Sequence, residues 1–176
     1  MVDKVFYRKI SNDLMDYARF IERMDKPSQG SKILFIKDLR KADFSMTIDG
    51  LKKDSSASIY VISCENGLFP GECHKLYKTK REELKGEYAF ARINDTPSKT
   101  MYVGSSNSIQ TRIKQHLGYG AKKTYSLQLR HWITSLEGDI DITIYQFSEI
   151  EQQVLQLMED ALWNKLQPMF GKRGAR

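Results

Sequence analysis

Gly86-Glu87-Tyr88, then Tyr102-Val103-Gly104-Ser105-Ser106, then Arg112 and His116 four residues apart: this stretch, residues 86–116, decides how the chain is read. Apolar and polar residues alternate from Glu87 to Ile93, Asn94-Asp95-Thr96-Pro97-Ser98 is turn-forming, and Thr100 to Val103 reads as the return strand. The pattern predicts a β-hairpin with a glycine-flanked tyrosine on each strand. A helix follows, capped by Ser106 or Asn107, with Ile109, Ile113 and Leu117 as its buried stripe. At 100° per residue, Arg112 and His116 fall beside that stripe and Lys114 faces outward.

Downstream, Tyr125 to Leu136 reads as a second helix, and Ile140, Ile142 and Ile144 alternate as a strand. A last helix opens on a capping-box pattern, Ser148 with Glu151, and ends before Pro168. Upstream, Leu14, Tyr17, Ala18, Ile21 and Met24 mark an amphipathic helix that breaks at Lys26-Pro27-Ser28-Gln29-Gly30-Ser31. Ile33-Leu34-Phe35-Ile36 and Ile59-Tyr60-Val61-Ile62 are short β-type runs, and Pro70 to Leu84 is a basic helix. The expected class is α+β. Residues 85–176 form a three-stranded antiparallel sheet flanked by helices in the order β-β-α-α-β-α, and residues 1–84 form an N-terminal α+β extension for DNA recognition or dimerisation.

The 176 residues, 40% hydrophobic, suffice for a packed core. No apolar run approaches the roughly 18 residues of a membrane span, and the N-terminus has no secretory apolar stretch, so a cytoplasmic protein is expected. Cys64 and Cys73 are too few for a disulfide framework. Cys73 next to His74 lacks the paired ligand spacing of a zinc site, so the thiols read as structural. A net charge of +6 favours an anionic partner, with the excess spread along the chain.

Arg112, at the border of a core and next to a strand ending in glycine, is placed to fork onto a phosphate; alternatively Arg112 and His116 snorkel from the helix flank. Glu159 lies between Leu155, Leu162 and Trp163, where a carboxylate needs a cation or an arginine, and a buried salt bridge is the competing reading. Tyr88 and Tyr102 taken singly are ordinary core aromatics; Gly86 and Gly104 beside them signal close backbone approach.

In combination these residues resemble the GIY-YIG nucleases. Gly86-Glu87-Tyr88 and Tyr102-Val103-Gly104 are similar to the two signature elements, Arg112 to His116 to the Arg-x3-His helix, and Glu159 to the metal-binding Glu. The resemblance spans about residues 85–174. Two positions depart from the pattern: Glu87 replaces an apolar residue, and Gly171 stands where the family often has Asn, for which Asn107 or Asn164 are the nearby substitutes. The resemblance implies hydrolysis of DNA with one Mg²⁺ or Mn²⁺ on Glu159. Arg112 would clamp the phosphate, and Tyr88 would orient or deprotonate the attacking water with Tyr102 and His116 assisting, either tyrosine being open as the base. Gly104, Ser105, Lys122 and Lys123 are the expected DNA contacts. Among the family's functions, a small type II restriction enzyme that dimerises through the N-terminal helix fits best. A catalytically idle DNA-binding or protein-interaction module of the same fold is the alternative.

Overall fold

Residues 3–40 and 56–174 are described by the computed structural model. Helix α1 (Lys4–Arg23) starts at Asp3, whose carboxylate accepts hydrogen bonds from the backbone N–H groups of Val5 and Phe6. The helix forms where its periodicity predicts, but none of its residues is buried.

A single antiparallel sheet organises the rest. Strands β1 (Ser28–Phe35), β2 (Ala57–Glu65), β3 (Thr100–Ser106) and β4 (Asp139–Phe147) lie in the spatial order β1-β4-β2-β3. The sheet therefore has four strands, not the three expected, and the segment expected as the first hairpin strand is not among them. Residues 87–93 contribute only isolated bridges, Tyr88 to Lys85, Phe90 to Ser126 and Ile93 to Phe170. The partner of β3 is β2, with Tyr60 opposite Gly104 and Ile62 opposite Tyr102. The reason is burial. Ser58-Ile59-Tyr60-Val61-Ile62 is buried on both faces and paired on both edges, which is what a nearly continuous apolar run requires of a central strand. Gly86, at φ +86°, turns the chain out of the extended form just before Glu87.

Consequently the boundary expected at 84/85 runs through one sheet, since β1 and β2 precede it and β3 and β4 follow. The 66–99 segment is an excursion between paired strands, and it contains helix α2 (Pro70–Glu83), which forms as its pattern predicts.

Helix α3 (Ile109–Leu117) buries Ile109, Ile113 and Leu117 and stops at Gly118 in the left-handed conformation. The helix expected over Tyr125–Leu136 is instead two short 3₁₀ turns, Leu129–His131 and Ile133–Ser135. Gln128 at φ 52° and Trp132, whose indole N–H donates back to the Leu127 carbonyl, interrupt any longer helix. Helix α4 (Gln152–Leu166) begins with Glu151 at its cap position, and no side chain bonds there, so the expected capping box does not form.

The main core lies on the α3 face of the sheet around Tyr60, Ile62, Ile113, Trp132 and Phe170. A smaller cluster of Ile59, Phe147 and Leu155 packs α4 against the opposite face. β3, an edge strand, lies between the two.

Candidate active site

Strand alternation explains how the site assembles. Tyr60 on β2 and Tyr102 and Gly104 on β3 share one face of the sheet, so the two rings stack 6.0 Å apart and 8° from parallel. Gly104 is directly opposite Tyr60, and a Cβ there would lie 2.6 Å from the Tyr60 hydroxyl. Only glycine admits that ring. A register shift between Ile62 and Ser63 marks the β2–β3 pairing beside Tyr102.

Helix α3 lays Arg112 and His116 over these rings. Arg112 Nε donates to the Tyr60 hydroxyl at 3.1 Å, Nη2 to the Tyr102 hydroxyl at 3.3 Å, and Nη1 to Gln115 Oε1 at 2.9 Å. His116 Nε2 is 2.9 Å from the same Tyr60 oxygen. The Leu127 backbone N–H donates to His116 Nδ1 at 3.2 Å, so the proton of the neutral ring belongs on Nε2 and points at Tyr60. Full burial, with Arg112 nearby, holds the His116 pKa well below its ordinary 6.5, which keeps the ring in that neutral form.

Tyr60 thus accepts hydrogen bonds from Arg112 and His116 at once. With both lone pairs engaged, its own O–H is left to point elsewhere. Burial and neighbouring Tyr102 push the Tyr60 pKa far up, outweighing the opposing pull of Arg112, so the hydroxyl keeps its proton in the resting protein.

On the other face of the sheet, Ser105 donates to Glu159 Oε2 on α4 at 2.5 Å. Glu159 is buried to 6% exposure. The two faces meet where β3 runs out of the sheet. There Tyr60, Tyr102, Gly104, Ser105, Asn107, Arg112 and Glu159 line an open, mostly polar cleft of about 240 Å³.

The expected residues are therefore divided. Tyr102, Arg112, Glu159, Gly104 and Ser105 line the cleft, and His116 backs it through Tyr60. Tyr88 does not. Its ring lies 4.2 Å from that of His131, under the Lys122 ammonium 5.0 Å away, on a part of the surface that contributes nothing to the cleft. Lys122 pairs with exposed Glu87 at 2.8 Å, and Lys123 bonds the Gly86 carbonyl; both tie the 121–124 turn to the 85–88 segment, and neither reaches the cleft. Glu87 is thus a solvated surface acid. The residue that sequence reading missed is Tyr60. Its signals were a polar-tipped ring in the middle of the most apolar run and a glycine on the strand that must pair with it.

Gly171 also has a physical reason. It sits at φ +97°, and a Cβ there would come 2.8 Å from the Tyr102 ring. Of the two asparagines considered as substitutes, Asn107 lines the cleft and Asn164 is exposed on α4.

Among the described residues no three His, Cys, Asp or Glu side chains cluster as a ligand set, so Glu159 is the one carboxylate lining the cleft. That donor set suits a hard cation that keeps most of its water shell, as Mg²⁺ does, and does not suit zinc.

A family model described as the GIY-YIG catalytic domain matches residues 86–170. That span includes Tyr102, Arg112, His116 and Glu159 and begins after β2, so Tyr60 enters the cleft from outside it. No curated protein and no solved structure matches the chain.

Proposed function

We propose that the chain is an endonuclease hydrolysing DNA phosphodiester bonds, supported by the match of residues 86–170 to the GIY-YIG catalytic domain, with Tyr60 in the role that sequence reading gave to Tyr88. The observation that supports this most is the convergence of Arg112, two tyrosine hydroxyls and Glu159 on one open cleft.

Hydrolysis adds a water hydroxyl to phosphorus and a proton to the departing 3′ oxygen. Arg112 already spans the Tyr60 and Tyr102 hydroxyls, so its planar fork is held where it can also face the non-bridging phosphate oxygens and offset charge in the transition state. Tyr60, donating its one proton into the cleft, orients the attacking water. His116 and Arg112 supply the donors that would stabilise a Tyr60 phenolate, the form able to take the proton that the attacking water gives up. Tyr102 fixes the guanidinium. Ser105 fixes the Glu159 carboxylate, the residue that would hold one Mg²⁺ or Mn²⁺ with waters completing its shell. Such an ion supplies Lewis-acid activation of the phosphate.

Two further parts of the proposal have their own support. Val5, Phe6, Ile10, Leu14 and Ile21 on α1 are all exposed, which suits a homodimer interface. Cys64 and Cys73 are free thiols with sulfurs 3.9 Å apart, as suits a reducing, cytoplasmic setting. No helix among the described residues is long and apolar enough to cross a membrane.

The test is to incubate the protein with plasmid and phage DNA plus Mg²⁺ or Mn²⁺ and sequence the new ends. Glu159→Gln and excess EDTA should each lower cleavage by at least ~10²-fold while thermal unfolding stays cooperative. Wild-type rates in either arm would refute the assignment. Discrete fragments would extend the proposal to a sequence-specific, restriction-type enzyme, and a smear would restrict it to a nonspecific one.

A further inference from the structure

A second cavity, about 560 Å³, opens beside the reaction cleft and shares two residues with it, Tyr102 and Arg112. The remainder of its wall comes largely from outside the elements that build the cleft. Arg81 comes from α2, Arg92 from the 66–99 excursion, Lys172 from the segment after α4, and Tyr125 from the turn after α3. Four cations line it, counting Arg112, and no acid does. Arg81, Arg92 and Lys172 have no ion-pair partner among the described residues, in contrast to Lys80, Lys85, Lys99, Lys122 and Arg173, which each have one. Unpaired like charges gathered on one concavity repel each other, which an anion would relieve. The Tyr125 ring is 74% exposed at its rim, an apolar face with no covering group.

Arg92 and Lys172 also line the adjoining cavity that reaches Trp163 and Arg173. Positive charge therefore continues from Arg112 to Arg92 and Lys172, although Asp95 also lines the adjoining cavity.

We infer that this second cavity is a subsite for the DNA strand next to the phosphate being cut: Arg81, Arg92 and Lys172 take flanking backbone phosphates, and Tyr125 offers a stacking face to a base. The inference rests on the nucleic-acid substrate proposed above and adds where the strand continues. It also gives Gly171 a second consequence. A side chain there, besides striking Tyr102, would intrude on the wall common to both cavities.

The test is to compare Arg81→Gln/Arg92→Gln with the otherwise wild-type chain. Both proteins carry Glu159→Gln so that binding is read without cutting, and the probe is a 5′-fluorescein-labelled 20-base-pair DNA followed by anisotropy across a salt series. Removing one arginine–phosphate pair should lower the slope of log K against log salt by about 0.9, so the double variant should fall by nearly 2 and bind at least tenfold more weakly near 0.1 M salt. On a labelled single-stranded 20-mer, whose bases are free to stack, Tyr125→Ala should weaken binding about five- to a hundred-fold with the slope kept, because stacking releases no counterions. In the active background, Arg81→Gln/Arg92→Gln should hydrolyse bis(p-nitrophenyl) phosphate, which has no flanking phosphate, within about twofold of wild type. An unchanged salt slope, or equal losses on DNA and on the small diester, would overturn the phosphate subsite. An unchanged affinity for Tyr125→Ala would overturn the stacking part. Should Arg81→Gln lower the melting temperature, Arg92→Gln/Lys172→Gln carries the same test on two other residues of the wall. If the wild-type protein cuts DNA and the slope is unchanged, only this inference fails. If the slope falls and no cutting occurs, the nuclease reading fails and the subsite stands.

Discussion

Tyr60 and Tyr88 each sit within a glycine, a histidine and a cation, and the two surroundings look alike until their geometry is compared. Tyr60 has Gly104 opposite it, His116 bonded at 2.9 Å and Arg112 bonded at 3.1 Å. Tyr88 has Gly86 two residues before it, the His131 ring tilted 39° against its own at 4.2 Å and Lys122 over its ring at 5.0 Å. In the first set every partner addresses the hydroxyl, inside the protein. In the second, His131 and Lys122 lie against the ring face, and the hydroxyl meets the exposed Lys122 and Glu87 side chains, at the surface. Chemistry at a tyrosine happens at its oxygen, so the same residue types build a buried, doubly hydrogen-bonded hydroxyl in one place and a surface patch in the other. A motif names residue types. The strand that pairs with β3 decides which tyrosine has the right neighbours.

The sharpest way to break this comparison is to remove one oxygen at a time. Tyr60→Phe should lower the rate of DNA cleavage by about 10²- to 10⁴-fold, the usual range for a group that positions or transfers a proton. Tyr88→Phe should leave it within about twofold, as expected for a surface change away from special features. Both variants keep the ring and its packing, so differences in melting temperature should be small. The reverse ranking in a single-turnover assay would return the catalytic role to the 85–88 segment.

The two glycines extend the test to smaller effects. Gly104→Ala places a methyl 2.6 Å from the Tyr60 hydroxyl and 2.9 Å from the Tyr102 ring, so one ring must move. Overpacking of that kind costs about 1–3 kcal/mol, and here it should also lower cleavage at least ~10-fold because it displaces the reacting group. Gly86→Ala meets no atom within 4 Å and suffers only its backbone, at φ +86°. Its cost should be about 1–2 kcal/mol of stability with the cleavage rate of the folded protein retained. Urea unfolding and cleavage rates measured on the same two variants separate the cases; equal activity losses would mean that the two glycines serve one site.

This contrast also explains what was legible in the sequence. Tyr102, Arg112, His116 and Glu159, which the structure gathers in or behind one cleft, could be singled out because each stands in a strong local frame, a strand ending in glycine or an amphipathic helix, that fixes which way it points. α1, α2, α3, β4 and α4 were visible for the same reason, although Glu159 could be placed on its helix without any sign that Ser105 would hold it. Tyr60 was hidden because its frame is non-local. Its partner strand lies beyond the 66–99 excursion, and Ser58, not glycine, precedes Ile59-Tyr60. Period-2 alternation from Glu87 to Ile93 offered a nearer partner for β3, and nothing in those residues revealed that Ile59–Ile62 would fill the central position instead. The helix expected over Tyr125–Leu136 failed similarly. Its apolar spacing is helical, but Gln128 at φ 52° and the Trp132 indole bond are tertiary choices that override it.

The smallest expected effect concerns the two histidines, and it probes the hydrogen-bond direction on which the role of Tyr60 depends. Burial lowers the pKa of both, His116 well below 6.5 with Arg112 adding to the shift, and His131 less so because the Gly118 carbonyl beside it works in the opposite direction. A histidine depressed in the folded state binds its proton more readily when unfolded. Stability is therefore complete above the ordinary value near 6.5 and is lost as pH falls through it, with His116 contributing more of the loss. Nitrogen-15 spectra of the three imidazoles in the wild-type protein check this without any variant. At about pH 6, His116 should remain neutral with its proton on Nε2, where Leu127 N–H directs it. A His116 that titrates like a free imidazole, or that carries its proton on Nδ1, would leave Tyr60 with Arg112 as its sole donor. The difference between the two tyrosines would then come down to burial alone.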